Sequence, residues 1–229
     1  MKPIRAIAVL PTLFTLGNLV CGFFAIVVLA RIEKPATPDS EPATQITLPI
    51  HSTEEIKGLF DSDDPTHNLM LSGALILLAM FFDAVDGQVA RITRGSSDFG
   101  AQLDSLCDLV SFGVAPAILL VKMCPQFAFF HREGIWFIAA VFACCAALRL
   151  ARFNVETDSE DDHTMFAGLP TPAAAATIGS FALLSYFLRN EAAIVTHANF
   201  VTYDWYMQRT VPFFAILIAI LMVSRIPYP

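Results

Sequence analysis

Asp83, Asp86, Asp98, Asp104 and Asp108 stand in one stretch, FFDAVDGQVARITRGSSDFGAQLDSLCDLVSFG at 81–113, with apolar sequence on either side. Asp83 and Asp86 are three apart, and Asp104 and Asp108 are four apart. On helices each pair occupies one face, about a turn apart. The eight residues 91–98 make a short reversal. The two helices are therefore expected to run antiparallel, with their carboxylate pairs facing each other near one end. Ionisable groups on apolar helices are costly to bury and mark functional sites by default. Four carboxylates this close repel one another away from water, so either some hold protons or cations bind between them. An all-oxygen set suits Mg2+, Mn2+ or Ca2+ rather than zinc. Two divalent ions would offset the four charges.

The neighbouring residues suit a phosphate. Gly87 and Ala90 share the Asp83/Asp86 face and leave room for a ligand against the helix, and Gly100 does the same one turn before Asp104. Arg91 follows the first carboxylate pair, where a guanidinium can hold a phosphate. Helix-end charges reaching out to water would account for Asp98 and Arg94. They would not account for two aspartate pairs, two glycines and an alanine in register.

These residues need helices to hold them, and the composition says what kind. The chain has 229 residues, of which 55% are hydrophobic and only 15% charged, with 20 Phe. Its mean hydropathy is +0.60. That points to an integral membrane protein. The formal net charge of −7 leaves no basic stripe to neutralise a nucleic acid, so no such partner is expected. A spanning helix needs about 20 mostly apolar residues. Segments at about 9–30, 68–90, 99–122, 134–153, 171–189 and 209–226 meet or nearly meet that requirement. The fold class expected is an all-α integral membrane protein with six transmembrane helices and a short N-terminal interfacial segment. It forms a single membrane domain over 1–229.

The first apolar run, 7–30, is long enough to span and has no obvious cleavage site after it, so it reads as a retained helix. Residues 31–67 are polar and read as a loop on the side away from the termini. Cys21, Cys107, Cys124, Cys144 and Cys145 form no C-x-x-C pair and read as thiols of apolar surroundings. Lys and Arg number seven on each side of this arrangement. The preference of basic residues for the cytoplasmic side therefore does not orient the chain.

Asp83-x-x-Asp86-Gly87-x-x-Ala90-Arg91, eight residues, then Gly100-x-x-x-Asp104-x-x-x-Asp108 resembles the signature of the CDP-alcohol phosphatidyltransferases at every position. The resemblance implies six transmembrane helices, frequent dimerisation and an active site at the cytoplasmic face of the cell membrane. The reaction it implies is transfer of a phosphatidyl group from a CDP-linked lipid to an alcohol, with release of CMP. It also implies roles. Asp83, Asp86 and Asp104 hold metal, with Asp108 as a further ligand or beside it. Asp108 is the candidate general base. Asp83, Gly87, Ala90, Arg91 and Gly100 line the CDP-lipid and CMP side.

Three further stretches, LPTLFTLGNLVCG at 10–22, LRLARFN at 148–154 and FAGLPTPAAAA at 166–176, resemble the phosphatidylserine synthase branch. Substrates CDP-diacylglycerol and L-serine are thereby implied. One departure is Thr12 after Pro11, where the family usually has Asn. A zwitterionic serine wants a cation for its carboxylate, and Arg149 and Arg152 lie three apart on one face with Asn154 following. One arginine can take the serine carboxylate and the other the lipid phosphate; both can equally anchor anionic head groups. The competing readings are another acceptor, such as glycerol 3-phosphate or an inositol phosphate, an ether-lipid donor, or a divalent-cation transporter. A transport site would lie nearer the midplane, with polar groups continuing to both surfaces.

Overall fold

The computed structural model describes residues 9–32, 64–93, 98–125, 127, 134–157, 166–191 and 197–228. Among the described residues six helices form a bundle: α1 Val9–Ala30, α2 Pro65–Thr93, α3 over 98–123, α4 Gly134–Thr157, α5 Thr171–Glu191 and α6 His197–Val223. Each contains a stretch long and apolar enough to cross a membrane. Helices are the solution that satisfies every backbone N–H and C=O within its own segment when no water is available. The protein is an all-helical integral membrane protein, as its composition predicts. The expected N-terminal interfacial segment and most of the polar stretch 31–67 lie outside the described residues.

α3 is the central helix. Of its spanning stretch 61% is buried against the rest of the protein, against 33–39% for the other five, and it touches all of them. Around it, α1 lies along α2, α2 along α5, and α4 along α6. Leu29, Ile76, Phe112, Phe142, Ile178 and Met222, one from each helix, are buried in the core. Phe23, Phe81, Phe137, Phe187 and Ile220 are exposed and form part of the outer face that meets lipid. Small residues let the helices close on one another. A Cβ at Gly73 of α2 would lie 2.8 Å from the Gly179 carbonyl oxygen of α5.

α3 is not uniform. Asp98–Asp108 is α-helical, Leu109–Val114 is π-helical, and Ala115–Met123 is α-helical again. The Ala115 N–H bonds the Val110 carbonyl, five residues back. Pro116 follows directly, and proline has no N–H for the carbonyl four residues earlier and crowds it. A widened turn at Leu109–Val114 removes that conflict. Such turns often lie at functional sites, and this one begins directly after Asp108.

α6 differs from expectation. The apolar stretch suggests a start near 209, but the helix begins at His197 and runs through Pro212. No Gly or Pro interrupts 197–211, and Tyr203, Trp205 and Tyr206 are types that favour the membrane–water interface. Apolarity marks the spanning part of a helix, not the whole of it. Beyond α6, Pro227–Tyr228 (β2) pairs antiparallel with Phe166–Ala167 (β1). The Gly168 N–H bonds the Ile226 carbonyl at 3.0 Å. Gly168 has φ +86°, and a Cβ there would lie 3.0 Å from the Ser224 carbonyl oxygen. This clasp fastens the entry of α5 to the exit of α6.

Candidate active site

The site lies where the C-terminal part of α2, the first turns of α3, the N-terminal half of α1 and the end of α4 meet. Asp83 and Asp86 descend from α2, and Asp104 and Asp108 from the α-helical start of α3. One carboxylate oxygen from each of Asp83, Asp104 and Asp108 lies within 4.8 Å of the others. Asp108 is buried, at 7% exposure, and Asp83 and Asp104 are half-buried. Asp86 stands outside that group of three. It is buried and accepts a hydrogen bond from Thr15 Oγ1 at 3.0 Å.

The three carboxylates fit a metal ion. Their oxygens converge on one spot, and Asp104 Oδ1 is buried without a hydrogen-bond partner among the described residues. A buried oxygen of this kind is costly unless something fills its coordination. Carboxylates are hard donors, so a divalent cation bound through oxygen is the matching group.

Gly87 is exposed, and a Cβ there would meet nothing within 4 Å. The face of α2 beside Asp83 and Asp86 is open, as a ligand lying against the helix requires. Gly100 is half-buried in the first turn of α3. The side chains of Ala90 and Arg91 lie outside the described residues, although both belong to α2.

Arg149 and Arg152 separate. Arg149 is half-buried, near enough to Asp108 to feel its charge. Its Nη1 donates to Thr171 Oγ1 at 3.4 Å, and its Nε is buried without a partner among the described residues. Arg152 Nη1 donates instead to the Val223 carbonyl at 3.0 Å, at the last turn of α6. Asn154 Oδ1 accepts a hydrogen bond from Ser105 Oγ at 3.1 Å, which ties the end of α4 to the turn that carries Asp104.

Sequence reasoning gave Thr15 and Asn18 of α1 no role, although both lie in the stretch 10–22 that carries part of the resemblance. Asn18 is fully buried, and its Nδ2 donates to Asp108 Oδ1 at 2.9 Å. Thr15, three residues before it, holds Asp86. The available signal was a Thr and an Asn at helical spacing in an otherwise apolar spanning segment, since polar groups there turn inward and find partners. Gly22, one turn further on, lets α1 approach the π-helical turn: a Cβ there would lie 2.7 Å from Ser111 Cα.

Comparison with known proteins agrees with this geometry. The CDP-alcohol phosphatidyltransferase family model matches residues 8–222. An archaetidylserine synthase of Methanothermobacter thermautotrophicus is 39% identical over 158 residues, covering 68% of this chain and 56% of the relative. A CDP-diacylglycerol–serine O-phosphatidyltransferase of Methanocaldococcus jannaschii is 40% identical over 162 residues, 70% of this chain and 65% of the relative. One of Helicobacter pylori is 33% identical over 173 residues, 72% of this chain and 62% of the relative. The chain thus spans a little over half to just under two thirds of the length of these relatives. With the signature carboxylates gathered at one end of a six-helix membrane bundle and the family match running through all six helices, the chain belongs to the CDP-alcohol phosphatidyltransferase family.

Proposed function

We propose that the protein transfers the phosphatidyl group of CDP-diacylglycerol to the hydroxyl of L-serine, releasing CMP. The observation that carries this reading is the convergence of Asp83, Asp104 and Asp108, with the Arg149 guanidinium within range of Asp108. The names of the relatives support serine as the acceptor.

Asp83, Asp104 and Asp108, with Asp86 beside them, would hold Mg2+ or Mn2+; Ca2+ has the same ligand preference. Bound there, the ion would neutralise the diphosphate and make the attacked phosphorus more electrophilic. The residues of the chain do the rest. Gly87, Ala90, Arg91 and Gly100 form the CMP side, where the open face at Gly87 receives the ligand. Arg149 takes the serine carboxylate, its Nε being the donor left over. Arg152 is occupied at the end of α6 and acts as a structural clamp. Asn154 borders the serine side through Ser105. The serine hydroxyl oxygen attacks the phosphorus that bears the diacylglycerol. Asp108 takes the hydroxyl proton, a P–O bond to serine forms, and the P–O bond to CMP breaks.

This reading includes a single membrane domain over 1–229, with the polar segment 31–67 outside the cytoplasm. It also includes an active site at the cytoplasmic face of the cell membrane and a homodimer, both of which rest on resemblance. The archaetidylserine synthase among the relatives favours a second version, in which the donor carries ether-linked chains. The test is purified protein in detergent with divalent cation, either CDP-lipid, and serine, glycerol 3-phosphate or an inositol phosphate. CMP release with serine alone is expected. Release only with a phosphorylated acceptor would overturn the serine assignment.

A further inference from the structure

Two side chains of α1 reach the carboxylates from outside the signature. Thr15 and Asn18 share a face, and each donates to one aspartate, Thr15 to Asp86 and Asn18 to Asp108. The main-chain carbonyl of Asn18 also accepts a hydrogen bond from Ser111 Oγ at 3.0 Å. α1 is therefore fastened to α3 at two neighbouring points, and only one of them touches a carboxylate of the site.

We propose that Asn18 is a positioning residue for Asp108: its amide N–H holds Oδ1 and fixes the plane of the carboxylate. This rests on the reading of Asp108 as the base. The terminal torsion of an aspartate is broad and roughly two-fold, so packing alone does not set the plane. A directional donor at 2.9 Å does. Asn18 is 0% exposed, and its Oδ1 has no partner among the described residues. A Leu of similar volume would fill the same space without a buried, half-satisfied amide, so packing does not account for the residue. Holding a reacting group in orientation does.

The test compares wild type, Asn18→Leu, Ser111→Ala and Asp108→Asn, with Mg2+, CDP-diacylglycerol and whichever alcohol wild type uses. The measurements are kcat and KM for the alcohol, the Kd for CDP-diacylglycerol, and the melting temperature. Asn18→Leu is expected to lower kcat about 10–100-fold, as loss of an orienting partner does, with the CDP-diacylglycerol Kd unchanged. Ser111→Ala, which loosens the same seam without touching Asp108, is expected to lower the melting temperature and leave kcat unchanged. Should Asn18→Leu not fold, Asn18→Ser, whose hydroxyl is too short to reach Asp108, gives the same comparison. Wild-type kcat in the folded Asn18 variant overturns the proposal. So does a loss of lipid affinity that accounts for the whole loss of rate. If Asp108→Asn also keeps wild-type kcat, the reading of Asp108 as base has failed, and the proposal with it. If only the Asn18 variant does, that reading survives alone. Turnover with an alcohol other than serine corrects the substrate and leaves the comparison in force.

Discussion

A serine hydroxyl is a poor nucleophile until its proton is removed, and a positioned base contributes about 10²–10⁴-fold. Asp108 is the most enclosed of the three converging carboxylates. Asp108→Asn keeps the size and removes the basicity. It should retain CDP-diacylglycerol binding in the presence of metal and lose turnover by about that factor. Recovery of rate at high metal concentration would instead make Asp108 a ligand only. The arginines divide by what they touch. Arg149→Ala should raise the KM for serine, because its guanidinium, close enough to feel the charge of Asp108, offers a cation to a carboxylate. Arg152→Ala should leave that KM unchanged and cost about 1 kcal/mol of stability, the worth of a cation at a helix C-terminus, read as a lower melting temperature. A serine KM raised only in the Arg152 variant would reverse the assignment.

Among elements, α1 has the least chemistry in its sequence and a large part in the site. It stands against α2 and α3, and it fastens one carboxylate from each. Gly22 permits the close approach to the π-helical turn. Gly22→Ala must push α1 from α3 or displace Ser111, since a Cβ would lie 2.7 Å from Ser111 Cα. Overpacking of this kind costs about 1–3 kcal/mol. A lower melting temperature and a reduced rate of CMP release are expected together. An unchanged melting temperature would mean that the helices do not close as described. The clasp of β1 and β2 holds α5 and α6 in the same way, with Gly168 as the residue that has to stay a glycine.

At the scale of the whole molecule, α2 and α3 bring like charges together at one end of the bundle, which costs stability unless something compensates them. Chelation of divalent cations should therefore abolish CMP release, and Mg2+ or Mn2+ should restore it. Asp83→Asn and Asp104→Asn should lose metal binding and turnover together. Near-normal turnover by either variant in metal-free buffer would rule out the metal site.

Some of this was legible in the amino-acid sequence because it is local. Spanning helices follow from runs of apolar residues, and the faces of Asp83/Asp86 and Asp104/Asp108 follow from spacings of three and four. Those spacings, with the intervening glycines, also carried the family. What the sequence did not reveal depends on contacts between distant parts of the chain. Thr15 meets Asp86 across 71 residues, and Asn18 meets Asp108 across 90. Arg149 and Arg152 have the same type and the same face, yet one bonds Thr171 at the start of α5 while the other reaches the end of α6, 71 residues on. Spacing along a helix determines which side chains share a face. Only the packing of one helix on another decides what that face meets.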